Sequence, residues 1–327
     1  MMMLSIVVPC YNEEEVLPEM AKRLFSFLDD LAHRQIISNA SRVYFVDDGS
    51  HDRTWSLIEQ QAAMDSRAYG IKLSRNRGHQ NALLAGLLHA EGDAVISVDA
   101  DLQDDLNAIE QMVDEFNAGR DIVYGVRKRR DTDTRFKRIT AEGYYRMLAL
   151  MGVEVVFNHA DYRLLSRRAI EALRQFREVN LFLRAVIPLL GFSASIVSYE
   201  RKERFAGESK YPLKKMLSLA WQGVTSFSAV PLRMITISGF MIFLGSLSIT
   251  LWAVGVRLFS DQAVPGWAST VVPIYLMGGI QLLGIGVIGE YLAKTYMETK
   301  ARPLFIIEQQ IPCRNNEPMK DAHPPHS

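Results

Sequence analysis

The sequence predicts an α/β protein with a mostly parallel, doubly wound sheet, an amphipathic segment and two transmembrane helices. Three observations predict this architecture. Short apolar runs alternate with helical patterns through the first 127 residues. Polar residues follow the end of one apolar run after another, as at the ligand-binding edge of an open α/β sheet. Two long runs without charged residues stand near the C-terminus.

The predicted strands are short runs rich in β-branched and aromatic residues, and loops and helical patterns separate them. A helix with apolar residues at helical spacing follows the first run and ends at about Leu31. Ser50 or Asp52 is predicted to cap the second helix. The predicted strands cover residues 3–9, 43–46, 69–73, 95–98 and 122–126.

The run at 95–98 ends in a cluster of four aspartates, which we treat as the centre of the candidate site. Asp99 and Asp101 are one residue apart, so both can reach one hard cation, which prefers oxygen ligands. Asp104 or Asp105 is instead predicted to cap a helix that starts near Leu106. The strand end therefore predicts a divalent-metal site.

Beyond Arg127 the alternation loosens. Helical patterns at 139–150 and 167–176 flank a polar group at 158–163, and residues 193–199 read as a returning strand. Residues 200–211 are too charged to belong to the core. We therefore expect a catalytic domain over residues 1–211.

The remaining chain changes composition at residue 212. Residues 212–233 form an amphipathic juxtamembrane pattern, and the uncharged runs predict transmembrane helices at 234–256 and 264–289. Lys and Arg flank the pair on its outer sides, so the positive-inside rule places the catalytic domain and a 290–327 tail in the cytoplasm.

The composition gives no indication of a nucleic-acid-binding protein, a disulfide-rich protein or a zinc protein. Lys plus Arg and Asp plus Glu both number 37, so no net charge indicates nucleic acid as a partner. Cys10 and Cys313 lie at opposite ends, which indicates neither a disulfide framework nor a zinc site. The first residues lack the basic region of a signal peptide.

The motifs together resemble family 2 glycosyltransferases that act on polyprenyl phosphates, related to dolichyl-phosphate mannose synthase and to bacterial undecaprenyl-phosphate sugar transferases. DxD alone would be weak, but the matching segments follow the family's order over nearly the whole chain. They are IVVPCYNEEE at 6–15, VDDGSHDRT at 46–54, LSRNRGHQNALLAG at 73–86, DADLQDD at 99–105, DYRLLSRR at 161–168, RFAGESKYPLKK at 204–215 and GEYLAKTYMETKARPLF at 289–305.

This resemblance implies a GT-A fold, in which Asp99 and Asp101 bind Mg²⁺ or Mn²⁺ on the diphosphate of a nucleotide-sugar. The metal would stabilise the leaving nucleoside diphosphate as a Lewis acid. Alternatives stay open for two of the donor-binding residues. Tyr11 may only pack on the first helix, and Glu13 may only complement a helix dipole. The residues implied at the uracil and ribose end are Pro9, Tyr11, Glu13 and Asp48.

The resemblance makes Asp161 the candidate general base, but the implied acceptor is a phosphate monoester whose second pKa lies near 6. Such an acceptor is already largely an anionic nucleophile. Asp161 is therefore expected to orient cations or sugar hydroxyls rather than remove a proton. Arg201, Arg204 and Lys210 are the predicted acceptor-phosphate ligands, with Arg204 catalytic. Arg201 may instead touch only lipid headgroups.

The implied reaction is inverting transfer of a sugar, first glucose from UDP-glucose, to undecaprenyl phosphate at the inner membrane for cell-envelope glycan modification. N-acetylglucosamine, mannose and aminoarabinose donors stay open, as does an inactive membrane scaffold. A processive synthase would need a QxxRW motif, and no Trp here follows an Arg. A glycine-rich pattern permits homo-oligomer packing: Gly278, Gly279, Gly284, Gly286 and Gly289.

Overall fold

The structure, a computed structural model, describes residues 1–127, 159–176, 178, 183–200, 230–259 and 267–311. These residues belong to two compact units. The first unit contains the sheet, its helices and a short strand near the C-terminus. The second contains the two long helices in residues 230–259 and 267–302.

An eight-stranded sheet forms the centre of the first unit, in the order β7-β5-β6-β4-β1-β2-β3-β8. β1 pairs in parallel with β2 and β4, β2 with β3, and β5 with β7. β6 and β8 run antiparallel to their neighbours. The strands are β1 Leu4–Cys10, β2 Arg42–Asp47, β3 Ala68–Leu73, β4 Ala94–Ser97, β5 Ile122–Arg127, β6 His159–Ser166, β7 Ala194–Tyr199 and β8 Ile307–Ile311.

Six helices of the first unit connect or follow these strands, among the described residues. Every residue of β1 is buried, as expected for a parallel strand covered on both faces. Helix α1 places one apolar stripe on the sheet, including Met20, Leu24 and Leu28. The helices are α1 Leu17–His33, α2 Thr54–Met64, α3 His79–His89, α4 Ala108–Asn117, α5 Arg167–Leu173 and α6 Leu183–Leu189.

The predicted α/β alternation is confirmed, but the sheet is mixed rather than mostly parallel around β6. The polar group that includes Asp161 lies in that strand, between β4 and β5, and was not predicted to be a strand. The returning strand at 193–199 is confirmed as β7. Strand β8 adds an antiparallel edge to β3, which the sequence analysis did not predict.

Capping predictions near the site were partly wrong. Helix α4 begins at Ala108, and its N-cap residue Asn107 makes no side-chain capping bond. Asp104 bonds to a strand instead, while the Asp105 carbonyl accepts the Ala108 N–H at 3.1 Å. At α2, Asp52 accepts the Thr54 N–H at 3.0 Å. Asp104 is thus held by a tertiary contact, whereas Asp105 makes local hydrogen bonds at the start of α4, where its Oδ1 accepts the Asn107 N–H at 3.4 Å.

The second unit contains helices α7 Val230–Phe259 and α8 Trp267–Thr299. None of the helices in the described parts of the chain combines enough length with enough apolar character to cross a bilayer. The predicted transmembrane helices at 234–256 and 264–289 are therefore wrong.

The prediction counted missing charges, which is a weaker requirement than apolar character. The first run includes hydroxyl residues such as Thr236 and Ser248, whose side chains bond the carbonyls four residues earlier. Helix α8 continues past the uncharged run through Glu290, Lys294 and Glu298. Most of the predicted amphipathic segment at 212–233 lies outside the described residues.

Candidate active site

The candidate site lies where the carboxyl ends of β1, β2, β3 and β4 meet at one edge of the sheet. Parallel pairing brings these ends together. The antiparallel strand β6 delivers its beginning to the same edge, because Ser97 of β4 pairs with Arg163 of β6. Continuing that register places Asp99 opposite Asp161.

The loops after β1 and β2 are joined by hydrogen bonds. The Asn12 N–H donates to Ser50 Oγ at 2.9 Å, and the His51 N–H donates to Asn12 Oδ1 at 2.9 Å. The Glu13 N–H donates to Thr54 Oγ1 at 2.8 Å. The YNEE and DDGS segments therefore form one continuous wall of the site.

Asp48 connects this wall to the loop after β3. Its buried carboxylate accepts the Arg77 and Gly78 N–H groups at 2.7 and 2.9 Å. Burial raises the pKa of Asp48, and these two hydrogen bonds oppose the rise. Gly49 permits the approach: with φ near +70°, an added Cβ would lie 2.6 Å from the Arg75 backbone. Asp48 therefore organises three loops.

The other predicted donor-binding residues occupy different environments at this wall. Pro9 is buried in β1 opposite Val46. The Tyr11 side chain is 43% exposed, so it does not pack as a core residue. Glu13 is half-buried, and its carbonyl accepts N–H groups at the start of α1. Their contacts with a nucleotide stay predictions.

Asp99 lies among acidic groups with one basic neighbour. His79 Nε2 is 3.5 Å from Asp99 Oδ1, and 28% of the Asp99 side chain is exposed. Burial, helped by the carboxylates of Asp104, Asp161 and Asp101, raises the pKa of Asp99 to about 6, although His79 opposes the rise. A cation at this point would relieve the repulsion.

Asp101 turns the loop after β4. Its Oδ1 accepts the Gln103 N–H at 3.1 Å, and Leu102 between them has a φ of 58°. A non-glycine residue in that conformation is uncommon and often marks a functional turn. The metal role of Asp101, together with Asp99, stays a prediction.

Asp161 has the opposite surroundings, because cations and donors contact both of its oxygens. Arg163 bonds Oδ1, and Arg184 donates from Nε to Oδ1 at 3.2 Å and from Nη2 to Oδ2 at 3.0 Å. Gln80 Nε2 donates to Oδ2 at 3.2 Å, and His79 Nε2 lies 3.6 Å from Oδ2. Asp161 is therefore ion-paired on both oxygens.

These contacts determine the chemistry available to Asp161. Burial by itself would raise its pKa, but His79, Arg163 and Arg184 outweigh burial and hold the pKa well below its ordinary value. A carboxylate with such a low pKa is a weak proton acceptor near neutral pH. The arrangement favours a positioning role for Asp161.

Asp104 anchors the loop after β4. Tyr199, at the end of β7, donates its hydroxyl to Asp104 Oδ1 at 2.5 Å, and Arg127 Nε donates to the same hydroxyl at 3.2 Å. Burial raises the pKa of Asp104, and the Tyr199 hydrogen bond opposes it. The loop after β4 is thus attached to the ends of β5 and β7.

The described residues contain no group of three His, Cys, Asp or Glu side chains arranged to hold a metal ion. Mg²⁺ commonly uses one or two protein carboxylates and takes its other ligands from water and substrate phosphates. Asp99 and Asp101 fit that pattern, since the acidic surroundings of Asp99 favour a cation. The residues present can therefore supply two carboxylates, with the remaining ligands coming from a bound diphosphate.

Sequence reasoning missed several residues at the site, namely His79, Gln80, Arg163 and Arg184. His79, Gln80 and Arg184 are 23 to 82 positions from Asp161 in the sequence, so local patterns could not show that they contact it. The polar sequence GHQ at 78–80, where α3 begins, was the available signal. Arg201, Arg204 and Lys210, the predicted acceptor-phosphate ligands, lie outside the described residues.

Comparisons with known proteins show the family to which the chain belongs. Residues 5–174 match the domain described as Glycosyl transferase family 2. The uncharacterised glycosyltransferase YkoT of Bacillus subtilis (strain 168) is 48% identical over 93% of this chain and 91% of that protein. The bactoprenol glucosyl transferase of Shigella phage SfV is 38% identical over 94% of this chain and 99% of its own length.

Among solved structures, mannosyl-3-phosphoglycerate synthase from Rubrobacter xylanophilus aligns with a TM-score of 0.47 and 16% identity, over 81% of this chain and 78% of that chain. The domain match covers more than half of the chain, and the sequence relatives span nearly all of it. This chain therefore belongs to glycosyltransferase family 2 and is a glycosyltransferase.

Proposed function

We propose that the enzyme transfers a sugar from a nucleotide-sugar to a polyprenyl phosphate, with inversion at the anomeric carbon. UDP-glucose and undecaprenyl phosphate are the first choices. The product would be a polyprenyl-phosphate sugar used to modify cell-envelope glycans. Several 38%-identical relatives carry the name bactoprenol glucosyl transferase, which supports both the lipid class and the sugar.

The observation that carries the proposal is the set of cations around Asp161. A hydroxyl acceptor needs a general base, and a carboxylate paired with Arg163 and Arg184 is poorly suited to that task. A phosphate monoester is already largely ionised at neutral pH, since its second pKa is near 6. Such an acceptor needs cations that hold it close to an anionic donor.

The donor would bind along the wall formed by the first two loops, with Pro9, Tyr11, Glu13 and Asp48 at its base and ribose end. Mg²⁺ or Mn²⁺ would be held by Asp99 and Asp101 together with the diphosphate. When bound, the metal supplies Lewis-acid stabilisation of the leaving nucleoside diphosphate.

At the acceptor side, Asp161 would orient the guanidinium of Arg184, and Arg201, Arg204 and Lys210 stay the predicted contacts from the following segment. We place the reaction at the cytoplasmic face of the inner membrane, because a polyprenyl phosphate carries its phosphate at the bilayer surface. This placement is based on the acceptor's chemistry alone. Homo-oligomer formation stays a prediction.

The test is transfer by the purified full chain with Mn²⁺, undecaprenyl phosphate and a panel of UDP-glucose, UDP-N-acetylglucosamine, GDP-mannose and a UDP-aminoarabinose derivative. We expect lipid-linked product from one donor, with inverted anomeric configuration. Lipid-independent hydrolysis of the nucleotide-sugar, or no lipid-linked product from any donor, would refute the proposed acceptor. The inactive-scaffold alternative predicts no turnover at all.

Asp161→Asn separates positioning from base catalysis, because the amide keeps the shape and hydrogen-bonding capacity but cannot take a proton. Loss of a general base costs about 10²–10⁴-fold in rate, so under the positioning proposal we expect measurable transfer with a loss smaller than about 100-fold. A variant with no activity but intact donor and acceptor affinities would establish Asp161 as the base.

A further inference from the structure

We propose that Arg184 binds the phosphate of the acceptor and that Asp161 holds its guanidinium in place for this purpose. The inference rests on the proposed function and deepens it by locating the acceptor's phosphate on a described part of the chain. It adds a cation to those predicted at 201–210.

The geometry of Arg184 is the first observation. Arg184 lies at the start of α6, and its Nε and Nη2 contact both oxygens of Asp161 in bidentate fashion. The Asp161 side chain is 6% exposed, whereas the Arg184 side chain is 39% exposed. One edge of the guanidinium is thus fixed by a buried anion while a substantial part of the side chain faces solvent.

Charge at this point is the second observation. Asp161 shares its single negative charge between Arg184 and Arg163, and Arg163 is completely buried. The two guanidinium groups contact the same carboxylate, and the charge of Arg184 disfavours the charged form of the buried Arg163. An anionic ligand beside the exposed cation would offset this repulsion.

Gln80 fixes the position of the cation. Its Nε2 donates to Asp161 Oδ2 at 3.2 Å, and its Oε1 accepts the Leu183 N–H at 3.2 Å. One side chain therefore ties the start of α6 to the carboxylate that Arg184 contacts. Arg184 is oriented before any ligand arrives, which reduces the entropy lost on binding.

The location relative to Asp99 indicates which phosphate Arg184 would bind. His79 Nε2 lies 3.5 Å from Asp99 and 3.6 Å from Asp161, so one imidazole nitrogen separates the two carboxylates. The donor diphosphate is expected on the Asp99 side with its metal. Arg184 contacts the far carboxylate, so a phosphate bound at the exposed part of its side chain would be a second phosphate close to the donor.

The chemistry of arginine fits a phosphate monoester. Its planar fork makes paired, charge-assisted bonds to phosphate oxygens, whereas lysine offers a single point charge. Replacing Arg184 should therefore weaken phosphate recognition while leaving contacts with the lipid chain unchanged. Arg184→Lys should recover only part of the lost affinity.

The experiment measures equilibrium binding of farnesyl phosphate, farnesol, inorganic phosphate and Mn²⁺–UDP to the full chain and its variants by calorimetry. For Arg184→Ala we expect the Kd of farnesyl phosphate to rise about 10- to 100-fold, as for a lost hydrogen-bonded charge contact. The Kd of farnesol and of Mn²⁺–UDP should stay within about threefold, well below the effect of one such contact.

Arg174→Ala is the matched control. Arg174 is also a half-exposed arginine that pairs with a carboxylate, Glu171, but it lies at the end of α5 and contacts no proposed site residue. Its variant should bind all four probes like the wild type. A larger loss for Arg174→Ala than for Arg184→Ala would overturn the assignment.

Other outcomes decide between alternatives. Equal weakening of Mn²⁺–UDP and farnesyl phosphate would place Arg184 at the donor diphosphate and overturn the proposal, as would unchanged binding of farnesyl phosphate. Equal wild-type affinities for inorganic and farnesyl phosphate would overturn the lipid source. If Arg184→Ala fails to fold, as judged by its melting transition, Arg184→Lys decides the question with the same probes.

Failure of the underlying function has a different signature. If the wild type binds farnesyl phosphate no better than farnesol, the polyprenyl-phosphate acceptor itself is wrong. If the wild type distinguishes the two and Arg184→Ala distinguishes them equally well, only the assignment of Arg184 is wrong.

Discussion

Asp99 and Asp161 share His79 as a neighbour but differ in the charged groups around them. Asp99, after β4, is surrounded by Asp101, Asp104 and Asp161, and its pKa is raised to about 6. Asp161, in β6, is paired with two arginines, which hold its pKa well below the ordinary value despite burial. Among the described residues, the same edge of the sheet therefore contains one carboxylate with several acidic neighbours and one that is ion-paired with two arginines.

The difference assigns separate tasks to neighbouring acids. A carboxylate in acidic surroundings gains most from a divalent cation, whereas a carboxylate held by arginines gains nothing from one and is a weak base. Family resemblance alone suggested Asp161 as a general base. The surroundings of each acid, rather than its residue type, support the proposal that Asp99 is a metal ligand and Asp161 a positioning residue.

The largest expected effect on activity comes from removing the charge of Asp99 or of its neighbour Asp101. Asp99→Asn and Asp101→Asn should each lower kcat/KM by more than about 10³-fold, or over 4 kcal/mol, with Asp101→Asn the more severe for metal dependence. Steady-state assays across a Mn²⁺ titration would measure both changes.

The control for this pair is Asp114→Asn on the exposed face of α4, which removes one negative charge from the same unit. That variant should keep wild-type activity. Near-normal turnover of either Asp99→Asn or Asp101→Asn, or full activity in excess EDTA, would remove the metal role from these residues.

An intermediate effect is expected on the stability of the protein when the ion pair between Asp161 and Arg163 is broken. Arg163→Met leaves a buried Asp161 with fewer cations, and breaking such a buried pair costs about 3–5 kcal/mol. Urea unfolding followed by circular dichroism would give the change in the free energy of unfolding. Arg168→Met is the control, because 68% of the Arg168 side chain is exposed, although its partner Asp121 is buried; solvent screens this pair, so its loss should cost less than the loss of Arg163.

The double variant Asp161→Asn/Arg163→Met sharpens this test, because it removes the uncompensated charge together with its partner. We expect it to recover part of the stability lost in Arg163→Met. If Arg163→Met costs no more than Arg168→Met, the pair is not the strong buried interaction described above.

The smallest expected effect is the pH dependence of donor binding. The pKa of Asp99 is raised to about 6, chiefly by burial, so the residue becomes protonated as pH falls through that value. Affinity for Mn²⁺–UDP-glucose, which has no terminal phosphate that titrates near pH 6, should therefore fall about tenfold between pH 7 and pH 5. Calorimetry without acceptor is the suitable measurement, since the acceptor phosphate also titrates near pH 6.

Stability should change in the opposite direction for this residue. A folded-state pKa above the ordinary 3.8 means that ionised Asp99 costs stability above about pH 6, and this cost is relieved as pH falls. Asp99→Asn should bind Mn²⁺–UDP-glucose weakly with little pH dependence. A wild-type affinity that is flat from pH 7 to pH 5 would contradict the raised pKa.

Local patterns predicted β1 to β5 and β7, because each is a short apolar run bounded by polar loops. They did not predict β6 or β8, because their pairing depends on partners distant in sequence: Ser97 pairs with Arg163, and Gly70 with Ile311. They also predicted two transmembrane helices, which the described helices do not support. Counting charges could not measure apolar character.

For the candidate site too, the sequence predicted the residues at strand ends but not those that distant elements bring to them. Asp99, Asp101 and Asp48 end predicted strands, so sequence reasoning could bring them to one edge. Arg163 follows Asp161 within a recognised motif, but its complete burial beside that acid depends on the antiparallel strand. Arg184 could not be found from spacing, because a separate helix delivers it to Asp161.

Strand β8 gives the first unit a discontinuous chain, since the sheet receives its last strand only after both long helices have been synthesised. Ile306 accepts the Ser74 N–H at 2.9 Å, and β8 covers the outer edge of β3. A fragment ending at residue 211 would leave the β3 edge open, and open edges invite pairing with other chains. Pairing with β8 therefore protects the β3 edge from association with other chains, and the first unit gains this protection only when a segment that follows both long helices in sequence is present.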